Sequence, residues 1–227
     1  MNKKRILLKL TGQAFKTKKL VDSIAQQVKK LSERYQFGIV VGGGNFFRGD
    51  EQGKQLELSR SVGHHVGMLA TMMNGMILQD NFEKKGVKSA LFSAIVCPGL
   101  ITPARESAIT QALQENKTII FSGGTSLPFF TTDTNAVIRA LQIKATQLWK
   151  TTDVDGIYEE DPDINPQAKP IKTITHEQAL KQNINVMDGT AFKLAAKEKL
   201  PIRVFTVFSE NSLMQAADDE SFGSTIQ

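Results

Sequence analysis

Residues 37–44 read Phe-Gly-Ile-Val-Val-Gly-Gly-Gly, a short β-branched apolar run that ends in three consecutive glycines. The run predicts a buried strand. Three glycines cost backbone entropy that an ordinary turn does not require, and they suit backbone that must line a phosphate. The pattern recurs on both sides. Residues 5–10 form an apolar segment ending at Thr11-Gly12, residues 118–122 end at Gly123-Gly124, and residues 146–150 run into Thr151-Thr152-Asp153. Two further strands are expected at 87–95 and 202–207.

Helical patterns fill the intervals. Leu20, Ile24, Val28 and Leu31 recur at helical spacing, and a long helix is expected after the loop through Asp50, ending near Lys85-Gly86. Thr102-Pro103 predicts a helix start, with a capping hydroxyl and proline at the first helical position. Residues 132–143 predict another helix. Thr175 with Gln178 forms a capping box, and Asp188 is expected to cap a further helix. Residues 153–172, acidic and proline-bearing, read as a long surface loop. Strands alternating with helices imply an α/β fold with a mostly parallel sheet covered on both faces. Ligands in such sheets bind beyond the carboxyl ends of the strands, where every glycine cluster here falls.

Composition narrows the function. A chain of 227 residues with 41% hydrophobic and 22% charged residues is neither disordered nor fibrous. No linker or repeat divides it, so residues 1–227 are read as one domain. A single cysteine, Cys97, fits a reducing compartment, and no run approaches the roughly 20 apolar residues of a membrane helix, so a cytoplasmic location is expected. Residues 1–30 carry nine cations against the single anion Asp22, which suggests an anionic partner, either nucleic acid or phosphorylated metabolites. Standard nucleotide motifs are absent. Gly53-Lys54 lacks the rest of a P-loop, Gly42 and Gly44 are followed by Phe47 rather than glycine, and no protein-kinase signature occurs.

Four strand-end loops carry the candidate chemistry: Lys9 to Gly12, Gly42 to Gly49 with Arg48, Gly123 to Asp133, and Thr151 to Pro162. Other conspicuous residues read as structure. Met68, Met72, Met73 and Met76 suit core packing or a subunit interface, Cys97 a small buried site, Trp149 the core, and His176-Glu177 a capped helix start.

The ordered segments ILLKLTG (6–12), VVGGGNFFRG (40–49), VGMLATMMNG (66–75), PFFTTD (128–133), residues 152–162, VMD (186–188) and LPIRVF (200–205) resemble bacterial UMP kinases of the amino-acid-kinase family. The resemblance spans essentially the whole chain. It implies a three-layer α/β/α sandwich, ATP and UMP as substrates with Mg²⁺ as cofactor, a homohexamer, and neither a membrane nor a nucleic-acid partner. It places Lys9, Leu10, Thr11, Gly12, Gly44, Arg48, Thr152, Tyr158 and Asp161 against ATP. It places Gly43, His64, Thr125, Ser126, Leu127, Pro128, Phe129, Phe130, Thr131 and Thr132 around UMP. Lys9, Arg48, Asp133 and Asp188 would serve catalysis, and no residue is assigned as a metal ligand. Acceptor contacts would fall mainly in residues 1–145, and ATP contacts in the strand-end loops and residues 146–227.

The chain departs from the family pattern at three points. His64 stands where relatives carry an aspartate that binds the acceptor, and histidine changes charge near neutral pH, so UMP affinity is expected to vary with pH. Ser126-Leu127 replaces a common Gly-Asn. The segment after Gly12 is short where relatives are regulated by GTP. The reaction class has an independent rationale. A nucleotide monophosphate, with a second pKa of about 6, is already a nucleophile at neutral pH, so the task is to bring two anions into line among cations and backbone N–H groups. Two other readings stand beside this one: a relative acting on a carboxylate or carbamate, and a non-catalytic nucleotide sensor or nucleic-acid-binding regulator.

Overall fold

The computed structural model describes residues 3–49, 51–160, 162, 164–182, 184 and 186–227. Strand β1 (Lys4–Leu10) sends Ile6, Leu8 and Leu10 into one apolar cluster and Leu7 into another, because successive side chains point to opposite faces. A 3-10 turn (Gly12–Lys16) leads into α1 (Lys18–Leu31), capped by Thr17 and burying Val21, Ile24, Val28 and Leu31. After β2 (Tyr35–Val41) and the short α2 (Gln52–Gln55) comes α3 (Arg60–Lys85), 26 residues long. Ser59 caps its start, and Gly86, in the left-handed conformation at φ 72°, ends it.

The chain continues through β3 (Ser89–Ser93), β4 (Thr102–Pro103), α4 (Glu106–Gln114), β5 (Thr118–Ser122), α5 (Thr132–Gln142) and β6 (Gln147–Thr152). A hairpin of β7 (Ile157–Tyr158) and β8 (Pro170–Ile171) precedes β9 (Thr173–Ile174) and α6 (His176–Lys181). The last elements are α7 (Gly189–Lys197), β10 (Ile202–Thr206), α8 (Ser212–Asp218) and β11 (Ser224–Ile226).

Nine strands form one sheet in the order β4-β3-β5-β2-β1-β6-β10-β11-β9. Only the β10–β11 pair is antiparallel among them. Helices α1, α3 and α8 cover one face and α4, α5, α6 and α7 the other, giving the three-layer sandwich. The strand order runs outward in both directions from β1 and β6, and the crevice at that switch point holds the site.

The sequence reading needs correction at several places. Thr102-Pro103 is not a helix start. It pairs as an edge strand with Phe92 and Ser93, and α4 begins at Glu106 after Arg105, which makes no side-chain cap. Proline lacks the N–H that a central strand needs but is tolerated at an edge, so the sheet claims this dipeptide. The loop 153–172 contains the β7–β8 hairpin. Strands β9 and β11, two and three residues long, are too short to leave a period in the sequence. Cys97 is half-buried, in a loop closed by its bridge to Ile101. Trp149 is core, in edge contact with Phe37 and Phe205. The methionines divide: Met68 and Met72 are buried, whereas Met73 and Met76 are exposed on the outer face of α3.

Candidate active site

Lys9 and Lys150 occupy paired positions near the ends of the parallel strands β1 and β6. Register therefore puts their side chains side by side on the same face of the sheet. Between them stands Asp133, from the first turn of α5. Its Oδ1 lies 3.0 Å from Lys9 Nζ and its Oδ2 2.7 Å from Lys150 Nζ. All three side chains are largely buried. Burial alone would raise the Asp133 pKa, but the two ammonium groups outweigh it and hold the carboxyl below its ordinary value. Burial and then the Lys9 charge push Lys150 down to about 8, against the pull of Asp133. Two cations against one carboxylate leave a local excess of positive charge at the crevice.

Helix termini fix the aspartates. Thr131 caps α5, its Oγ1 accepting from the N–H of Asp133 (3.0 Å) and Thr134 (3.4 Å). The same hydroxyl donates to Asp188 Oδ2 (2.5 Å), and the Thr134 hydroxyl donates to both Asp188 oxygens (2.9 and 3.0 Å). Asp188 also caps α7 through Thr190 and Ala191 N–H. It thus ties the N-termini of α5 and α7 together, and both of its oxygens are engaged.

The backbone loops interlock around this centre. The Thr151 hydroxyl donates to the Lys9 carbonyl (2.9 Å) and accepts from Thr11 N–H (3.2 Å). A Cβ on Gly12 would come within 2.6 Å of Gly44 N, so only glycine lets the first two loops meet. Arg48, half-exposed, donates from Nε to the Gly44 carbonyl (3.4 Å) and lies 3.4 Å from Glu51.

A cavity of about 340 Å³ opens beside the loops. Gly43, Gly44, Arg48, His64, Phe130, Thr131 and Thr132, all expected from the sequence, line it, as do Met68 and Thr71. Thr125 to Phe129 do not line it. They form an exposed loop turned by non-glycine residues at positive φ, Ser126 (65°) and Phe129 (71°). The Phe129 ring packs against the tilted His64 ring (centroids 5.3 Å), and the Arg60 guanidinium lies over it, 5.6 Å from its centroid. Leu10 is fully buried in the core. Thr152 ends β6, and the Tyr158 hydroxyl donates to Asp155 (2.6 Å), away from the cavity lining. Asp161 lies outside the described residues.

Sequence reasoning missed Lys150. Its signal was present: a lysine in the otherwise uncharged strand QLWKTT, one residue before a strand-end Thr-Thr, parallel to Lys9 before Leu10-Thr11. Among the described residues, no three His, Cys, Asp or Glu side chains gather as a metal site.

The amino acid kinase family model matches residues 4–206. A uridylate kinase of Thermotoga petrophila is 40% identical over 230 residues, covering 98% of each chain. One from Haemophilus influenzae is 39% identical over 231 residues, covering 98% of this chain and 97% of its own. Among solved structures, the UMP kinase of Ureaplasma parvum superposes with a TM-score of 0.95 at 32% identity over the full length of both chains. That of Bacillus anthracis superposes with a TM-score of 0.92 at 28% identity, covering 100% of this chain and 97% of its own.

Proposed function

The chain belongs to the amino acid kinase family, and from that premise we propose that it transfers the γ-phosphoryl group of ATP to UMP, forming UDP and ADP. A phosphate oxygen of UMP forms the new P–O bond as the bond between the γ-phosphorus and the β–γ bridging oxygen breaks, and that oxygen leaves on ADP. The observation that carries the reading is the pair Lys9 and Lys150 held by one aspartate beside the glycine loops. A UMP phosphate is largely a dianion at neutral pH and needs no base. What it needs is an environment that offsets repulsion between two anions, which two ammonium groups and backbone N–H groups supply without reorganising.

Within this reading the residues divide the work. Lys9 and Lys150 neutralise the transferring group, and Asp133 keeps both ammonium groups in place while both stay desolvated. Asp188 orients the start of α5, and hence Asp133, rather than touching the reacting atoms. The loops Leu10 to Gly12 and Gly44 with Arg48 hold ATP phosphates. Thr152 and Tyr158 are assigned to the ATP nucleoside by the family resemblance, as is Asp161, which lies outside the described residues. Gly43, His64 and the segment from Thr125 to Thr132 hold UMP.

Magnesium enters as the ATP complex. Both carboxylates described at the centre already have partners, so the donor set fits an ion held by phosphate oxygens and water rather than by a protein cage. When bound, it withdraws charge from the phosphate oxygens.

Residues 1–227 act as one unit in this reading, and self-association, hexameric by resemblance, is proposed with it. Leu69, Met73, Met76 and Ile77 leave an exposed apolar face on the outside of α3, which supports such an interface. Sedimentation of a Leu69→Lys/Met73→Glu double variant should show smaller particles than the parent.

The test of function is turnover with ATP and Mg²⁺ against UMP, CMP and dUMP. UDP formation with UMP preferred is expected. No UDP formation, with tight salt-dependent polynucleotide binding, would replace the kinase reading with a regulatory one.

A further inference from the structure

Helix α3 runs between the two glycine loops and touches both over two turns. A Cβ on Gly43 would come within 2.8 Å of the Gly67 carbonyl and 3.0 Å of Thr71 N, so the donor-side loop, which carries Gly44 and Arg48 as well as the UMP-facing Gly43, lies directly on the helix backbone. A Cβ on Gly124 would come within 2.9 Å of the Met68 side chain, so the acceptor-side loop meets the same stretch. Two buried polar side chains then fasten these contacts. The Thr71 hydroxyl donates to the Met68 carbonyl (2.7 Å) and accepts from Gly123 N–H (2.8 Å). Asn74, fully buried, donates from Nδ2 to the Gly42 carbonyl and to Asn45 Oδ1 (both 2.7 Å), and its Oδ1 accepts from Asn45 Nδ2 (3.2 Å).

Thr71 and Asn74 are three residues apart and so project from neighbouring points of one helix surface. Each satisfies a backbone group that water cannot reach, and an unsatisfied buried group is costly. Among the described residues no comparable side-chain bond to another element fastens residues 125–130, the middle of the acceptor segment, where Phe129 is exposed. The pairing of β2 with β5 sets the spacing of the two loops as far as Val40 and Phe121, and beyond the strand ends α3 holds it.

We propose that residues 67–75 of α3 fix the separation of the donor and acceptor loops, with Thr71 and Asn74 as the positioning residues. The inference rests on the kinase reading above. Asn74 is fully buried, and Thr71, which borders the cavity, has its hydroxyl engaged by the Met68 carbonyl and the Gly123 N–H. Each acts through a glycine loop, and a small error in the distance between two reactants costs rate out of proportion to its size.

Two near-isosteric variants test it. Thr71→Val removes the acceptor for Gly123 N–H, and Asn74→Asp removes the donor to the Gly42 carbonyl. Both should lower kcat by about tenfold or more. In Thr71→Val the KM for UMP should change more than that for ATP, and in Asn74→Asp the reverse. Thr71→Ser, which keeps the oxygen, should restore kcat to within about threefold of the parent. Thermal unfolding of each variant separates folding from positioning. If Asn74→Asp does not fold, the half-buried Asn45→Ala variant removes the same side-chain partner and should raise the KM for ATP. Folded Thr71→Val and Asn74→Asp enzymes with parental kcat and both KM values would overturn the proposal, as would a Thr71→Ser enzyme as impaired as Thr71→Val. Wild-type UDP formation in the same assay tests the kinase reading separately, because only the ratio of variant to wild type bears on α3.

Discussion

Asp133 and Phe129 are four residues apart in the chain, yet they belong to differently built regions. Asp133 is largely buried, gripped by two lysines, and set in the first turn of a helix whose cap is itself bonded to Asp188. Phe129 is 60% exposed, carries a left-handed φ of 71°, and is contacted by the His64 ring and the Arg60 guanidinium. The first region has its geometry imposed by neighbours on β1, β6, α5 and α7. The second is exposed and held by fewer contacts. Under the proposed function, charge that faces a reacting phosphate is fixed in advance, whereas the segment proposed to contact the acceptor is held by fewer bonds.

The sharpest way to break this contrast is to remove a lysine. Lys9→Ala or Lys150→Ala should each lower kcat on the order of 10²–10³-fold, measured as UDP formation at saturating substrate. If either variant keeps parental turnover, the fixed region is not the catalytic one.

Next is the aspartate. Asp133→Asn leaves two buried ammonium groups without a counter-charge, and should destabilise the fold by about 3–5 kcal/mol, read from denaturant unfolding near neutral pH. An equally large loss from Phe129→Gly would erase the distinction between the regions. That change should instead leave stability within about 1 kcal/mol, since glycine accepts the positive φ, and should raise the KM for UMP several-fold.

pH separates the regions further. Lys150 loses its proton near pH 8 in the free enzyme, so kcat/KM should fall on the alkaline side of that value. Bound phosphate favours the charged form, so the limb in kcat should lie at higher pH. Lys150→Arg, which keeps its charge, should remove the limb if it remains active. The stability effect has the opposite direction. An unfolded lysine keeps its proton to about pH 10.4, so between about pH 8 and 10 the unfolded chain binds more protons and Lys150's contribution to stability rises with pH.

The smallest expected effect lies outside both regions and serves as their reference. His176 is buried against Phe192, and burial lowers its pKa despite a bond between Nε2 and the Leu200 carbonyl. Its unfolded form gains a proton below about pH 6.5 while the folded form resists, so stability should decline as pH falls through that range. A His176→Gln variant should show a shallower decline in unfolding experiments, with turnover at neutral pH changed little.

Much of this was legible locally. The run 37–44 marks a strand and the loop it feeds, Thr175 with Gln178 marks a capping box that the structure contains, and Asp188 marks a helix start. Each depends on neighbours within a few residues, and so leaves its trace in a short stretch of sequence. Thr102-Pro103 shows the limit of such traces. The local pattern for a helix start was good, but the hydrogen bonds of the sheet edge prevailed. Lys150 shows another limit, since a lone lysine in a strand acquires meaning only when β1 pairs beside β6.

By itself the sequence determined the alternation of strands and helices, the strand-end loops and their cationic character, because periodicity, capping and glycine content are local properties. Only the tertiary structure decided that Lys9 and Lys150 share one aspartate, that Asp188 joins two helix starts, and that Thr71 and Asn74 fasten loops from different strands. Those relations depend on strand order, register and the path of α3 across the sheet, which join residues far apart in the chain and which no window of sequence contains.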